Sequence, residues 1–521
     1  MRNLHLGFDS STQSLSVVVI DLDQREVVYQ NSLDYHTSLP QFDADHGVLR
    51  DEDPTVVHAS PLMWLEALDI LFKRMLTDGV PLHEVCCISG SGQQHGSVYL
   101  NGTAPDVLAT LDPERTLVEN LASVLSRSTA PIWMDSSTTR QCEEITHAMD
   151  AHGGIIEATG SAAFERFTGP QIRKFWQEEP DAYANTRHIA LVSSFMCSVL
   201  TGKIAPVDPG DGAGMNLMDI RQLDWHPAAL EATAPGLAEK LPPVAPAASI
   251  AGKISPYFVK RYGLNPDALS VIWSGDNPCS VVGLGLIQPG MVAISMGTSF
   301  TYFGTMAECH VDRKGEGHVF GSPAGGYMTL NCFKNGGLAR ARIRDQFALD
   351  WDGYRAAMAE TPPGNQGRLM LPWYEPEIVP KVVKPGVRRL NLNEDDRAGN
   401  CRALVEGQIL AMRLHAGWME TTPSMIYATG GVSQDPSVLQ VIADVFQCPV
   451  GRSMTTNSAA LGAALVAARA FHANLAWPEI TRGFTEPAGA LFEPGADTKL
   501  IYDDLLLQYA DFERKALSEL S

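Results

Sequence analysis

The sequence predicts an α/β protein of two domains. Three observations carry that prediction: the length of the chain, a strand–polar turn–strand unit near the start of each half, and strand-then-helix signals through the second half. At 521 residues the chain exceeds what one hydrophobic core comfortably serves, so two large domains are expected. In the first unit, apolar residues 4–8 lead through Asp9-Ser10-Ser11-Thr12-Gln13-Ser14 into apolar residues 15–22, which reads as a β-hairpin with a small polar tip. In the second, residues 291–295 lead through Met296-Gly297-Thr298-Ser299 into Phe300-Thr301-Tyr302-Phe303. Two such units suggest internal duplication.

Between them, residues 241–248 are rich in Pro and Ala and are followed by Gly252, a composition expected of a connector. The expected boundary lies near residue 250, giving domains 1–250 and 251–521. Further on, Ser270-Val271-Ile272-Trp273 reads as a strand running into Gly275-Asp276-Asn277-Pro278, with Asn277 suited to an N-cap and Pro278 to the first helical position. The same grammar returns in Ile426-Tyr427-Ala428-Thr429, Gly430-Gly431 and Asp435-Pro436, where Val438, Leu439, Ile442, Val445 and Phe446 repeat at helical spacing. Alternating strands and helices make an α/β fold. Residues 457–471, rich in Ala and Gly, form a helix able to lie close against a sheet or a nucleotide. From about residue 476 the chain reads as a tail with one amphipathic helix over 502–517.

With 45% hydrophobic and 19% charged residues the composition is globular, and no apolar run approaches the roughly 18 residues that span a bilayer. No apolar leader follows Arg2, so secretion is not expected. Nine cysteines spread from Cys86 to Cys448 without a C-x-x-C pair fit a reducing cytoplasm. A net charge of −21 argues against a nucleic-acid partner, because that affinity comes largely from Lys and Arg on phosphates. A mononucleotide held by backbone N–H groups and a divalent cation remains compatible.

No G-x-x-x-x-G-K-[ST] occurs, since Gly202-Lys203 and Gly252-Lys253 are each followed by Ile, and no H-R-D or D-F-G set occurs. Gly90-Ser91-Gly92-Gln93-Gln94-His95-Gly96 has the wrong glycine spacing for a dinucleotide fingerprint and runs into strand-like Ser97-Val98-Tyr99-Leu100. The Asp9-Ser10-Ser11-Thr12 tip offers a carboxylate for Mg²⁺ and hydroxyls for phosphate oxygens; singly, it is equally an Asx or Ser/Thr turn. Gly297-Thr298-Ser299 offers a second phosphate cradle with the same alternative. Asp276, between a strand and a helix, sits where α/β proteins contact ligands, or is a helix cap. His95, Asp135 and Arg166 are polar residues amid turn-forming or apolar sequence, readable as site residues or as satisfied interior groups.

Together these segments resemble the FGGY family of carbohydrate kinases, over roughly residues 4–471, and within it the xylulose-kinase group of animal and plant type. Gly7-Phe8-Asp9-Ser10-Ser11-Thr12-Gln13-Ser14 resembles the family's first phosphate loop, Gly297-Thr298-Ser299 its second, and Ala428-Thr429-Gly430-Gly431 its adenosine-side turn. Ser91-Gly92-Gln93-Gln94-His95-Gly96, Glu165-Arg166-Phe167-Thr168-Gly169, Gly212-Ala213-Gly214-Met215-Asn216-Leu217 and Gly275-Asp276-Asn277-Pro278 carry the narrower likeness. The resemblance implies two ribonuclease H-like domains of the actin, hexokinase and Hsp70 superfamily with a cleft between them. It implies that Gln94, His95, Asp135, Arg166, Asp276 and Asn277 contact a ketose, with Asp276 as general base. By the same resemblance Asp9, Ser10, Ser11, Thr12, Gln13, Gly297, Thr298, Ser299, Trp351, Gly430, Gly431 and Asp435 surround ATP, with Asp9 holding Mg²⁺. Two departures stand out: no Arg follows Asp135 in Met134-Asp135-Ser136-Ser137-Thr138, and Asp435 stands where close relatives carry Asn.

The reaction so implied is phosphorylation of D-xylulose to D-xylulose 5-phosphate by MgATP, in a cytoplasmic monomer or homodimer with no membrane partner. Ribulose, fuculose and glycerol-like acceptors, or a non-catalytic nucleotide-dependent role within the same superfamily, stand as alternatives.

Overall fold

A computed structural model describes residues 3–453 and 455–520. The elements that position the site are, in chain order, strands β1 (Leu4–Ser10), β2 (Ser14–Asp21), β3 (Glu26–Asp34), β4 (Val85–Gly92), β5 (Ile250–Lys253), β6 (Leu269–Val271) and β7 (Ser274–Gly275), then helix α1 (Asp276–Gly283). There follow β8 (Met291–Met296), β9 (Phe300–Met306), β10 (Tyr327–Phe333), α2 (Gly337–Gln346), β11 (Met425–Thr429), α3 (Pro436–Phe446), β12 (Val450–Arg452), α4 (Ser458–Phe471), β13 (Ala488–Phe492) and α5 (Thr498–Leu520).

The chain forms two compact units. The first comprises Met1–Ile287, Val319–Met328 and Thr455–Glu486; the second comprises Gln288–His318, Thr329–Met454 and Pro487–Ser521. Residues 251–287 therefore lie with the first unit, not beyond a boundary at 250. The cause is strand pairing: β6 runs parallel to β4, with Leu269 opposite Cys87 and Ser270 opposite Ile88, and β7 also joins β4. The helix over residues 457–471 returns to the first unit as well, although its sequence falls in the second expected domain.

In the first unit the sheet runs β5-β6-β4-β1-β2-β3, with β7 paired to β4 off that path. β1 is antiparallel to β2 and parallel to β4. Leu4, Leu6, Phe8, Leu15, Val17 and Val19 are fully buried in the main core of this unit. Helix α4 packs on β1, β2, β4 and α1, and small residues make the approach possible. A Cβ on Gly7 would lie 1.9 Å from the Ala460 carbonyl oxygen, and one on Gly462 would lie 1.8 Å from that of Cys279. This is the close packing its Ala- and Gly-rich sequence foretells.

In the second unit β8 is antiparallel to β9 and parallel to β11, the same arrangement as β1, β2 and β4, so the duplication expected from the two hairpins is present in the strand pairing. β11 runs parallel to β12, and β13 closes that edge antiparallel. Tyr302 of β9 stacks on Phe446 of α3 at 6.0 Å between ring centres. Among the described residues no helix is long and apolar enough to cross a membrane.

Candidate active site

In the first unit Asp9, Gln94 and Asp276 lie at the C-terminal ends of β1, β4 and β7, mutually parallel strands of a mixed sheet and the edge where α/β proteins bind ligands. Pairing sets Asp9 opposite Ser91 and Gly275 opposite Gly92. Ser91 Oγ donates to Asp9 Oδ1 at 2.7 Å. Asp276 is the first residue of α1, with Gly275 as the cap, two positions earlier than the sequence suggested. Its Oδ1 accepts from Asn277 N at 2.8 Å and from Asn277 Nδ2 at 3.1 Å. The same Nδ2 donates to Gln94 Oε1 at 2.9 Å, and Gln94 Nε2 donates to the Gly210 carbonyl at 3.3 Å.

Asp9 and Asp276 are partly exposed, open to a ligand yet poorly solvated. Burial, and then the charge of Asp276, raise Asp9 to about 7 against the opposing bond from Ser91. Burial raises Asp276 to about 6, opposed by backbone N–H groups of Asn277 and Gln94. That value suits a general base near neutral pH. Two carboxylates the sequence reading passed over lie behind them, each only 1% exposed. Burial lifts Asp208 to about 6 and, with the neighbouring Asp208 charge, lifts Asp211 well above the carboxylate range.

His95 holds a left-handed backbone, φ 73°, a conformation costly outside glycine and frequent at functional sites. Its Nδ1 lies 2.7 Å from the Gly214 carbonyl oxygen, which can only accept, so Nδ1 carries the proton. Burial, then Arg166, push the imidazole down to about 3; His95 is neutral and Nε2 is left as an acceptor. Arg166 lies over the rings of Phe164 and Phe167. Trp133, Met134, Asp135, Ser136, Glu165 and Arg166 line a cleft of about 340 Å³. Within it the Asp135 carboxylate is committed to the protein, accepting from Val57 N, Ser137 N, Ser137 Oγ and Gln171 Nε2 at 2.6–3.0 Å.

The hairpin tip is closed by Ser11 N and Ser11 Oγ, both donating to the Ser14 carbonyl. Thr12 Oγ1 bonds Gln93 Oε1 at 3.3 Å and accepts from Trp133 Nε1 at 2.8 Å. Gln13 is exposed and Ser10 buried.

In the second unit Gly297, Thr298 and Ser299 form the exposed β8–β9 turn. Gly337 N, at the start of α2, donates to the Gly297 carbonyl at 3.0 Å. The turn after β11 lies alongside: Gly430 has φ 86° and a Cβ there would meet the Met296 carbonyl at 2.6 Å, so only glycine serves. Gly431 is exposed. Asp435 caps α3 through Ser437 N and Oγ and pairs with buried Arg340 at 2.8 Å. Arg340 in turn lies 5.2 Å from the ring centre of Trp351, itself 39% exposed. Asp435 is thus linked to the Trp351 ring through Arg340. Gly336, Gly337 and Arg340 escaped the sequence reading; the Gly-Gly pair opening a helix was the available signal.

Among the described residues no group of three or more His, Cys, Asp or Glu is arranged to hold a metal. A single carboxylate such as Asp9, whose charge burial and Asp276 disfavour, fits a Mg²⁺ that arrives with phosphates and keeps its waters.

Residues 117–283 match the N-terminal domain of the FGGY family of carbohydrate kinases, and residues 292–471 match its C-terminal domain. The chain is 40% identical to a xylulose kinase of Rattus norvegicus, covering 99% of this chain and 98% of that one. It is 41% identical to xylulose kinase 2 of Arabidopsis thaliana, covering 98% and 93%. Its fold matches the crystal structure of xylulose kinase from Rhodospirillum rubrum with a TM-score of 0.82 at 19% identity, over 99% of this chain and 100% of that one. A paired hairpin architecture, a carboxylate-bearing sheet edge and full-length similarity agree: the chain belongs to the FGGY family of carbohydrate kinases.

Proposed function

We propose that this carbohydrate kinase transfers the γ-phosphoryl group of ATP to D-xylulose, giving D-xylulose 5-phosphate and ADP. The substrate is that named for its relatives of 40–41% identity. The observation that carries the chemistry is Asp276: a carboxylate at the C-terminal end of β7, a strand parallel to β4, raised to about 6 and held by Asn277.

In this reading the C5 hydroxyl gives its proton to the Asp276 carboxylate as its oxygen bonds the γ-phosphorus, and the bond from that phosphorus to the bridging oxygen of ADP breaks. Phosphoryl transfer asks the protein mainly for positioning and charge stabilisation. Asn277 and the His95 Nε2 acceptor orient the sugar, Arg166 and Asp135 face it from the cleft they line, and Gln94 holds Asn277. Asp9 holds Mg²⁺, which neutralises phosphate charge when bound, while Ser10 to Gln13 and the Gly297-Thr298-Ser299 turn receive phosphate oxygens. Gly430, Gly431, Asp435 and Trp351 form the adenosine side. Nine free cysteines are consistent with a reducing compartment such as the cytoplasm.

The test is ADP release with MgATP across xylulose, ribulose, fuculose and glycerol, together with Asp276→Asn. Xylulose should give the highest kcat/KM. In the variant, sugar binding by calorimetry should survive while turnover falls at least about a hundred-fold. Higher kcat/KM on another acceptor would refute the substrate, and near-normal turnover in Asp276→Asn would refute the base.

A further inference from the structure

Behind Asp276 hydrogen bonds and a short stretch of backbone close a ring. Asp208 caps the short helix Pro209–Gly212, accepting from Gly210 N at 2.9 Å and Asp211 N at 3.0 Å. Its Oδ2 also accepts from Ser274 Oγ at 2.7 Å, and Ser274 stands two residues before Asp276 in β7. From the other side, the Gly210 carbonyl accepts from Gln94, whose side-chain oxygen accepts from Asn277. The circuit thus runs Asp208, Ser274, Asp276, Asn277, Gln94, Gly210 and back to Asp208. It is tightly filled: a Cβ on Gly210 would lie 2.7 Å from Ser274 Oγ and 2.8 Å from Asp208 Oδ2, and one on Gly275 would lie 2.5 Å from Gln94 Cγ.

Asp208 is fully buried and spends its oxygens on three donors drawn from two segments. For a helix of four residues a neutral cap would suffice, and a buried carboxylate is costly unless its bonds are worth the desolvation. The bond to Ser274 is the one that reaches beyond the helix. We propose that Asp208 is a positioning residue for phosphoryl transfer: through Ser274 it fixes the β7–α1 junction that presents Asp276 and Asn277 to the sugar. This rests on Asp276 acting as the base, and it adds a group that touches neither substrate. Displacements of an ångström at a reacting group cost up to about a hundred-fold in rate, so one strut of the ring carries a smaller, measurable share.

The experiment is steady-state kinetics on Ser274→Ala, Asp208→Asn and their double variant, with xylulose and MgATP. Ser274→Ala should lower kcat about tenfold while the sugar KM stays within about twofold. The double variant should be no slower than the slower single one, because both act through one contact. Fully additive losses, or unchanged kcat in Ser274→Ala with only a lowered thermal midpoint, would overturn the proposal. If Asp208→Asn fails to fold, Gly210→Ala, which wedges the same contact, takes its place in the cycle with the same expectations. Failure of the underlying base is read separately: then Asp276→Asn keeps its turnover, whereas an inactive Asp276→Asn beside a fully active Ser274→Ala sinks the positioning role alone.

Discussion

The two hairpins share a strand arrangement and differ in what their turns carry. In the first unit β1 ends in Asp9 and hydroxyl residues, with Asp276 in electrostatic reach of Asp9 and both Asp208 and Asp276 in reach of Asp211. In the second unit β8 ends in Gly297-Thr298-Ser299, exposed and without a carboxylate, beside the N-terminus of a ten-residue helix. The first turn concentrates negative charge, which suits a cation and a proton acceptor; the second carries no charge and lies at the positive end of a helix dipole, which suits phosphate. Duplication supplied one scaffold, and a handful of turn residues set opposite electrostatics on its copies.

Removing the carboxylate from the first turn should have the largest effect. Asp9→Asn should lower kcat by about a hundred-fold or more, with ATP hydrolysis and sugar phosphorylation falling together in coupled assays, since a transferring phosphoryl group depends above all on stabilisation of its charge. Near-normal turnover of that variant, with an unchanged dependence on Mg²⁺ concentration, would contradict a direct role. Next comes a steric change in the second turn: a Cβ on Gly337 would sit 2.5 Å from the Gly297 carbonyl. Gly337→Ala should therefore raise the ATP KM roughly tenfold while sugar binding by calorimetry is unchanged, which would separate the duties of the two copies.

The third test is pH. Asp276, raised by burial to about 6, and Asp9, raised to about 7, must both be unprotonated to act, so kcat/KM for the sugar should level off above about 8, begin to fall near 7 and fall more steeply than tenfold per unit below about 6. The linked stability effect has the opposite sign: a carboxyl that holds its proton more tightly folded than unfolded makes the folded state lose stability as pH rises from about 4 through 6. Chemical denaturation at pH 4.5 and 7.5 in wild type and Asp276→Asn would expose that difference. The smallest kinetic effect belongs to Asp435→Asn, which keeps the cap on α3 and loses the ion pair with Arg340. The ATP KM should move by less than about threefold, with a stability loss of about 2 kcal/mol from the weakened buried bond.

Both hairpins were legible in the sequence because alternation and small polar tips are local signals. So was the helix opened by Asp435-Pro436, whose cap and proline stand where the chain uses them. The unit to which Asp276 belongs was not legible: it depends on β6 and β7 pairing with β4 across more than 180 residues, and no local pattern encodes that. Asp208 followed by Pro209 carries the same cap signature as Asp435-Pro436, so a sequence reading could have marked the helix, though not the bond to Ser274. The left-handed backbone of His95 and the pairing of Arg340 with Asp435 arise only once distant segments meet.

Helix α4 lies against β1 with Gly7 touching Ala460, a contact between nearly the first and nearly the last tenth of the chain. During synthesis the opening strands must therefore wait, exposed or shielded by other factors, until almost the whole polypeptide has left the ribosome. The second unit draws its own last segment, Pro487–Ser521, from later still. Neither unit is complete until the last tenth of the chain is made, and truncation after residue 454 would leave the carboxylate-bearing sheet without the helix that covers it.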